Sequence, residues 1–381
     1  MPIFHNPVRI RFGTDALDTI GELVETRHCV LLTSEGMARR NAFGQLTQAL
    51  GDRVTARYAA VSPNPTVESA TSAFHAVHGA EPRAEMIVAL GGGSVIDTAK
   101  AVAAQYANGP SSDWLSRHLR DDAPFDADAS PPSIVAIPTT AGTGSEVTMW
   151  GTIWDETNGR KYSVSHRSLY PQHALLDPLL TLSVPRATTV ATALDALSHA
   201  MESIWNRAAN PVSDALAVRA IGIIPAALVE ALERPDALGA RARLQSAALV
   251  AGLAMSNTRT ALAHSISYPM TSHLGVPHGI ACSLTLPEIL LGVAESHPER
   301  AGLILGGLGA GSAADCAGAL YDLFREVGIA ELLSARVPTG AALEAIEDEL
   351  ITPGRADNSL LPADGPSAAR LLQTAYEKVC A

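Results

Sequence analysis

One carboxylate and three histidines in the second half of the chain are spaced so that they could bind a metal ion. Asp195 and His199 are four residues apart in a stretch with helical periodicity, so their side chains would lie one turn apart on the same helix face. His264 and His278 follow further along. This mixed oxygen and nitrogen set suits Fe(II) or Zn(II), and it suits Mg(II) or Ca(II) poorly.

The alternative is that these four residues are ordinary polar side chains of a helical domain. The chain contains 12 histidines, and we expect His5, His118 and His173 to be surface residues without a role in binding. An aspartate and a histidine four residues apart on an exposed helix would be equally ordinary. Spacing alone therefore leaves both interpretations open.

Two loops rich in glycine and hydroxyl groups could bind a phosphate or a ribose. Residues 91–100 (GGGSVIDTAK) follow an apolar strand and run into a helix, whose free N–H groups and dipole attract an anion. They match neither the G-x-G-x-x-G fingerprint nor a P-loop, and a strand-to-helix turn without a ligand is the alternative. Residues 137–148 (IPTTAGTGSEVT) also follow a strand and carry several hydroxyl donors. Both loops would leave the carboxyl ends of parallel strands, where open α/β sheets bind ligands.

The elements that must position these residues change in character along the chain. In the first half, β-rich runs at residues 30–33, 54–59, 86–90 and 134–138 alternate with helical spacing at residues 66–78 and 95–105. This alternation predicts a parallel sheet covered by helices on both faces, with residues 109–132 forming a surface loop. From about Pro185, long Ala/Leu segments predict an all-helical domain. We therefore predict an α/β domain over residues 1–184 and a helical domain over residues 185–381.

The composition fits a large protein with two domains. The chain has 381 residues, of which 47% are hydrophobic and 17% charged, so extensive disorder is excluded. A net charge of −12 without a basic stripe argues against nucleic acid as a partner. The four cysteines form no C-x-x-C pair and indicate reduced thiols. We find no signal peptide and no apolar run long enough to span a membrane, and we expect a cytoplasmic protein.

Five motifs in order make the chain similar to the iron-containing (group III) alcohol dehydrogenase family over nearly its whole length. They are Pro63-Asn64-Pro65-Thr66, the loops at 91–100 and 138–148, residues 195–202 (DALSHAME), and His264 followed by Pro277-His278-Gly279. The resemblance implies an α/β dinucleotide-binding domain followed by an all-α metal-binding domain, an architecture shared with dehydroquinate synthase. It also implies a nicotinamide cofactor, NAD or NADP, and a divalent ion, Fe(II) or Zn(II).

The resemblance also implies roles for individual residues. The metal ligands correspond to Asp195, His199, His264 and His278. The contacts around the cofactor pyrophosphate correspond to Gly92, Gly93, Ser94 and Asp97, with Asn64 in a nearby turn. The positions that line the nicotinamide side of the cofactor correspond to Thr139, Thr140 and Lys161. The ion would polarise a carbonyl oxygen as a Lewis acid, and the nicotinamide would supply the hydride.

Two departures from the family pattern concern the cofactor and the proton path. Ser34 stands where many relatives carry an aspartate that binds the ribose hydroxyls and repels a 2′-phosphate. Because Glu35 is adjacent and Arg39 and Arg40 are close in sequence, the choice between NADH and NADPH stays open. Tyr268 stands where many relatives carry a histidine four residues after the third ligand. A tyrosine hydroxyl could replace that histidine in the proton path, or the ring could simply pack.

Two further departures concern the substrate. Arg259 lies five residues before His264, where relatives often have a small residue, and its planar guanidinium suits an anionic group. The alternative is an arginine that extends to solvent. Trp150 replaces a smaller residue and would narrow the pocket. We therefore predict that the protein reduces a small aldehyde with an acidic group, and the phosphonoacetaldehyde reductases are the most similar branch.

Other activities are kept as alternatives to this prediction. Within the same chemistry they are maleylacetate reduction and the oxidation of a plain alcohol or diol. A lyase resembling dehydroquinate synthase would need a more basic pocket, and a metal-stabilised binding module would leave both loops unexplained. We expect a small-molecule substrate and a homo-oligomer, a dimer.

Overall fold

The computed structural model describes residues 3–109, 113–126, 128, 130–155 and 160–380. The contacts within it divide the chain into two units. The α/β unit comprises Asn6–Thr140 and Ser145–Ser183, and the helical unit comprises Val184–Ala381. The helical unit also includes the residues up to His5 and the short segment Ala141–Gly144.

A six-stranded parallel sheet forms the centre of the α/β unit, with the strand order β1-β8-β5-β4-β2-β3. A separate antiparallel pair is formed by β6 and β7. The strands are β1 Arg9–Phe12, β2 Cys29–Thr33, β3 Val54–Tyr58, β4 Met86–Gly91, β5 Ser133–Pro138, β6 Trp150–Asp155, β7 Arg160–Ser165 and β8 His173–Leu176.

Helices cover both faces of this sheet, because alternate residues of the buried strands are apolar on each side. Leu32 and Ile87 pack into the hydrophobic cluster on one face, and Leu31 and Val88 pack into the cluster on the other. The helices of this unit are α1 Ile20–Val24, α2 Glu35–Ala38, α3 Asn41–Leu50, α4 Val67–His78, α5 Gly93–Asn108 and α6 Trp114–Arg120.

The helical unit has one continuous hydrophobic core built mainly of Ala, Leu and Ile. Its longest helix begins after Asn210, whose side chain caps the first turn in a capping box with Ser213. The helices are α7 Arg186–Ile204, α8 Pro211–Glu233, α9 Leu238–Thr258, α10 Leu262–Ser272, α11 His278–Leu284, α12 Leu286–Ser296, α13 Pro298–Leu308, α14 Ala313–Val327, α15 Ile329–Ser334, α16 Ala341–Glu344 and α17 Gly365–Cys380. The parallel sheet followed by helices confirms the predicted fold class.

Some local predictions differ from the structure. The strands β1, β6, β7 and β8 were not predicted, because their sequences are short or alternate with polar residues. The segment predicted as a loop at 109–132 contains α6, whose Trp114 and Leu115 are buried; residues 110–112, 127 and 129 lie outside the described residues. His173 is buried in β8, so the prediction that it lies on the surface is wrong.

Two helical segments are long and apolar enough to cross a membrane, judged by length and composition alone. They are Pro211–Glu233 and His278–Ser296. The bent pair of helices Pro298–Leu308 and Ala313–Val327 meets the same criteria if the two are counted as one span. The prediction that no apolar run is long enough is therefore wrong on these criteria. In this structure α8 packs against α7 and α9, and α11 packs against α7 and α10.

Candidate active site

The four predicted metal ligands lie close together in the helical unit. Asp195 and His199 are one turn apart on α7, and the Asp195 Oδ1 atom is 3.6 Å from the Nε2 atom of His199 and 3.6 Å from that of His264. The rings of His199 and His264 are stacked 4.9 Å apart, and the His278 ring lies 5.4 Å from that of His264. Three of the four side chains are buried, and His278 is half-buried.

The geometry of this cluster fits a divalent ion. Two ligand atoms that each lie about 2.1 Å from one ion at tetrahedral angles are separated by about 3.4 Å. The 3.6 Å separations of Asp195 Oδ1 are close to this value and too long for a hydrogen bond. In the described part of the chain, Asp195 Oδ1 and His264 Nε2 are buried without a hydrogen-bond partner. Burying such atoms is costly, and an ion would satisfy both of them.

Glu202 orients one of these histidines. Its Oε2 atom accepts a hydrogen bond from His264 Nδ1 at 2.6 Å and another from the Ala261 N–H at 2.9 Å, while Oε1 accepts from the His264 N–H at 3.2 Å. The carboxylate therefore caps the first turn of α10 and directs the other ring nitrogen of His264 toward Asp195. Glu202 is the last residue of the motif at 195–202, and its position there did not by itself indicate this role.

The carboxyl groups of this cluster are held in their ionised forms. Burial raises the pKa of Asp195, but His199, His264 and His278 outweigh it and the pKa is lowered. Burial also raises the pKa of Glu202, and the charge and hydrogen bonds of His264 outweigh it with the same result. Burial lowers the pKa of His264, but Cys282, Glu202 and Asp195 outweigh it and the pKa is raised, so a metal cation that binds here would displace a proton from this histidine.

Cys282 is a further potential donor that the sequence analysis did not single out. A ligand atom from each of Asp195, His264, His278 and Cys282 can be chosen so that all lie within 4.8 Å of one another. The Cys282 Sγ atom is 3.6 Å from both ring nitrogens of His278 and donates a hydrogen bond to Ser267 Oγ at 3.2 Å. The sequence could have indicated Cys282 as a metal ligand, because it follows His278 by one helical turn.

Gly279 allows α11 to approach α7 closely enough for His278 to join the cluster. A Cβ atom at position 279 would lie 1.8 Å from the Ala191 carbonyl oxygen and 2.9 Å from the Asp195 Cβ atom. Neither distance is possible for a real side chain, so any other residue would push the two helices apart. The glycine of Pro277-His278-Gly279 therefore positions the metal ligand without touching an ion.

The residues predicted to contact the cofactor pyrophosphate converge in the α/β unit. The buried strand β4 runs into the glycines, with Gly92 immediately before α5 and Gly93 as its first residue. Ser94 Oγ accepts a hydrogen bond from the Asn64 N–H at 3.2 Å. A Cβ atom at Gly92 would lie 3.2 Å from Thr140 Oγ1, so the two loops are adjacent there. The N–H groups at the start of α5 are available to donate hydrogen bonds to an anion, as is usual for a helix N-terminus.

Lys100 joins the two loops from inside α5. It is fully buried, and its ammonium group donates hydrogen bonds to the Ser145 and Trp150 carbonyl oxygens at 2.7 Å and to the Thr148 hydroxyl at 2.9 Å. Ser145 in turn donates to Asp97 Oδ1 at 2.6 Å. Burial lowers the pKa of Lys100 to about 8, although the nearby carboxylates of Asp97 and Glu146 act in the opposite direction.

The remaining predicted residues of the α/β unit lie on or beside strands. Thr139 is buried directly after β5, and its N–H donates to the Gly91 carbonyl at 3.0 Å. Trp150 begins β6 and is half-buried. Lys161, on β7, has its ammonium 5.4 Å from the centre of the Trp154 ring. Ser34 follows β2, and its hydroxyl accepts from the Met37 N–H at 3.3 Å, which caps α2.

Arg259, predicted to bind the substrate, and Tyr268, predicted to take part in the proton path, differ in their surroundings. Arg259 follows α9 with a positive φ of 66°, and its side chain is exposed. Tyr268 lies one turn after His264 on α10, with its ring 6.2 Å from that of His278. Arg355, which was not predicted, donates a hydrogen bond from Nε to the Tyr268 hydroxyl at 3.3 Å.

The family models agree with this combination of fold and site. The model described as iron-containing alcohol dehydrogenase matches residues 7–178, and the model of the C-terminal part of the Fe-containing alcohol dehydrogenase family matches residues 189–347. The chain belongs to the iron-containing alcohol dehydrogenase family. It is an oxidoreductase that acts on alcohols and aldehydes, and the cofactors of its family are a nicotinamide dinucleotide and iron.

Individual relatives differ in their named substrates. A 1-propanol dehydrogenase, PduQ, of Citrobacter freundii is 31% identical over 76% of this chain and 73% of its own length. A phosphonoacetaldehyde reductase of Streptomyces viridochromogenes is 37% identical over 55% of this chain and 53% of its own. The crystal structure of a sulfoacetaldehyde reductase from Bifidobacterium kashiwanohense in complex with NAD+ superposes with a TM-score of 0.90 at 27% identity, covering 100% and 99% of the two chains.

Proposed function

We propose that this protein is a metal-dependent, NAD(P)-linked reductase of a small aldehyde that carries an acidic group, such as phosphonoacetaldehyde. The observation that carries the proposal is the buried Asp195 Oδ1 atom, 3.6 Å from the Nε2 atoms of both His199 and His264. The acidic group is supported by relatives named for phosphonoacetaldehyde and sulfoacetaldehyde, two short aldehydes with an anionic end.

In this proposal Asp195, His199, His264 and His278 hold the ion, with Fe(II) or Zn(II) as the fitting metals. The ion, when bound, supplies Lewis-acid polarisation of the substrate carbonyl group. Glu202 keeps the His264 ring in the orientation that ligation requires, because it accepts a hydrogen bond from the Nδ1–H group. Asp195, His199 and His264 lie on helices whose apolar residues form the core of this unit, and all three side chains are buried.

The α/β unit binds the nicotinamide cofactor in this proposal. The N–H groups at Gly93 and Ser94 receive the pyrophosphate, and the loop with Thr139 and Thr140 lines the nicotinamide side. Lys161 belongs to the same cofactor site. Lys100 holds the two loops together through its hydrogen bonds to Ser145, Thr148 and Trp150, so their spacing is fixed before the cofactor arrives.

Alternative substrates stay within the same chemistry. Oxidation of a plain alcohol or diol is supported by the relatives named 1-propanol dehydrogenase and 1,3-propanediol oxidoreductase. Maleylacetate reduction is the other alternative, since maleylacetate is also anionic. A cytoplasmic location and assembly as a homodimer belong to the proposal as well.

The test is steady-state consumption of NADH and NADPH with a panel of aldehydes, before and after chelation. We expect activity to be lost with the metal and to return with Fe(II) or Zn(II). His278→Ala should lose most of the bound metal, because three remaining ligands hold an ion poorly when one position must stay open for substrate. Metal content is measured by elemental analysis, with His273→Ala as a control, since His273 is exposed and pairs with Glu349. Full metal content in His278→Ala would remove His278 from the ligand set.

A further inference from the structure

Arg355 lies in a loop that is fastened to the helix of a proposed metal ligand. The Ser265 hydroxyl donates to the Leu350 carbonyl at 2.7 Å and accepts from the Thr352 N–H at 2.7 Å. Asn358 Nδ2 donates to the Thr260 carbonyl at 2.8 Å. Ser265 directly follows His264, so residues 350–358 are held in a fixed position relative to that ligand.

The Arg355 guanidinium has only neutral partners in the described part of the chain. Nε donates to the Tyr268 hydroxyl at 3.3 Å, and Nη1 donates to the Gly354 carbonyl at 3.0 Å. The side chain is half-buried, and no described carboxylate lies within ion-pair distance of it. Arg300 shows the contrasting case, because both of its terminal nitrogens bind the Asp214 carboxylate. A partly desolvated guanidinium without a counter-ion is a receptor for an anion.

Tyr268 connects this guanidinium to the metal cluster. It lies one turn after His264 on α10, and its ring is nearly parallel to that of His278, with the two centres 6.2 Å apart. Arg355 is therefore one hydrogen bond away from a side chain that stacks on a proposed ligand. A substrate whose carbonyl group is held at the ion would have to place its anionic group beside Tyr268 to meet this guanidinium.

We infer that Arg355 is the residue that binds the anionic group of the substrate and so determines specificity for acidic aldehydes. The inference rests on the proposed function and refines it, because sequence analysis assigned this role to Arg259. Arg259 is exposed, and none of the hydrogen bonds or ion pairs of the described residues involves its side chain. Tyr268 acts as a positioning residue, since its hydroxyl accepts a hydrogen bond from Arg355 Nε at 3.3 Å.

The experiment compares kcat/KM for phosphonoacetaldehyde, sulfoacetaldehyde and propanal in the wild-type holoenzyme, Arg355→Ala and Arg355→Lys. Arg355→Ala should lower kcat/KM for the two anionic aldehydes by roughly tenfold to a few hundredfold, because a charge-assisted pair is lost. Propanal should be reduced at nearly the wild-type rate. Arg355→Lys should recover part of the loss, since a point charge cannot reproduce the planar fork. Comparing phosphonate with sulfonate identifies which anion the site prefers.

Two further variants and one inhibition measurement complete the test. Arg336→Ala, which removes an exposed arginine of the same unit, is the control and should leave all three substrates unchanged. Methylphosphonate should inhibit propanal reduction competitively in the wild type, and this inhibition should weaken in Arg355→Ala. If Arg259→Ala reproduces the selective loss and Arg355→Ala does not, the inference is wrong and the assignment to Arg259 holds.

The failure of this inference is distinguishable from the failure of the proposed function. A wild-type enzyme that reduces propanal with metal and NAD(P)H, but does not prefer the anionic aldehydes, would overturn the role of Arg355 and leave the reductase activity intact. Equal losses for charged and neutral substrates in Arg355→Ala would also overturn it, because they would indicate a structural role. A wild-type holoenzyme without activity on any aldehyde would overturn the proposed function itself.

Discussion

The Glu202 carboxylate gives the sharpest test of the metal site, because one group performs two tasks there. It caps the first turn of α10 through the N–H groups of Ala261 and His264, and it holds the His264 ring through Nδ1. In Glu202→Gln one oxygen becomes an NH2 group, which cannot accept a hydrogen bond. At least one of the three contacts must then become a clash between two donors.

The size of the effect follows from these contacts. Removing the group that orients a metal-bound histidine typically weakens metal binding by about 10- to 100-fold, which corresponds to roughly 1.4–2.7 kcal/mol. The loss of a helix cap costs about 0.5–2 kcal/mol of folding stability. We therefore expect Glu202→Gln to bind Zn(II) or Co(II) about 10- to 100-fold more weakly, with a smaller reduction in the free energy of unfolding of the metal-free protein.

Competition with a chelator of known affinity measures the metal binding, and urea unfolding of the metal-free protein measures stability. Glu146→Gln is the matched control, since Glu146 is also a buried carboxylate but lies in the α/β unit. It should retain the wild-type metal affinity. A Glu202→Gln protein whose metal affinity stays within twofold of the wild type would refute the assignment of Glu202 as the residue that orients His264.

Two predictions concern the α/β unit. Because the Ser34 hydroxyl carries no charge, we expect NADPH and NADH to be used with similar kcat/KM. Ser34→Asp should lower kcat/KM for NADPH by about fivefold or more, because the new carboxylate repels the 2′-phosphate. Ser34→Ala is the control. A wild-type preference for NADH of several orders of magnitude would contradict this. For Lys100, a folded-state pKa of about 8 against 10.5 in the unfolded chain means that the unfolded chain binds more protons between these values. The stability of the wild type relative to Lys100→Met should therefore rise across this pH window, by up to about 3 kcal/mol in urea unfolding; a constant difference would show that the ammonium titrates normally.

Three of the four predicted strands, β2, β4 and β5, are buried apolar runs bounded by loops, whereas β3 is an edge strand that is only partly buried. Met86–Gly91 and Ser133–Pro138 are buried almost throughout, so their sequences are hydrophobic at nearly every position. Arg9–Phe12 could not be recognised in the same way, because it lies at the sheet edge and its Phe12 is 73% exposed. Its pairing with β8 depends on residues more than 160 positions away.

The site was predictable to the extent that its residues are close in sequence or belong to motifs. Asp195 and His199 were found from their spacing on one helix, and His264 and His278 from their type and from the family resemblance. Arg355 gave no such signal, because its contact with Tyr268 joins residues 87 positions apart and no periodic pattern surrounds it. The roles of all these residues stay predictions until they are measured.

The loop of residues 350–358 is not part of a helix that carries a proposed metal ligand. A few hydroxyl and amide hydrogen bonds hold it to α10 and to the segment just before α10. The proposed metal ligands and Arg355, the proposed contact with the anionic group of the substrate, are therefore encoded in separate segments of the chain. Replacements in one irregular loop could redirect such an enzyme from neutral to charged aldehydes without disturbing the packing that sets its reactivity. Evolution of new substrate ranges would then be limited by how well that loop tolerates insertion and substitution, and irregular surface segments are the parts of a fold that tolerate both best.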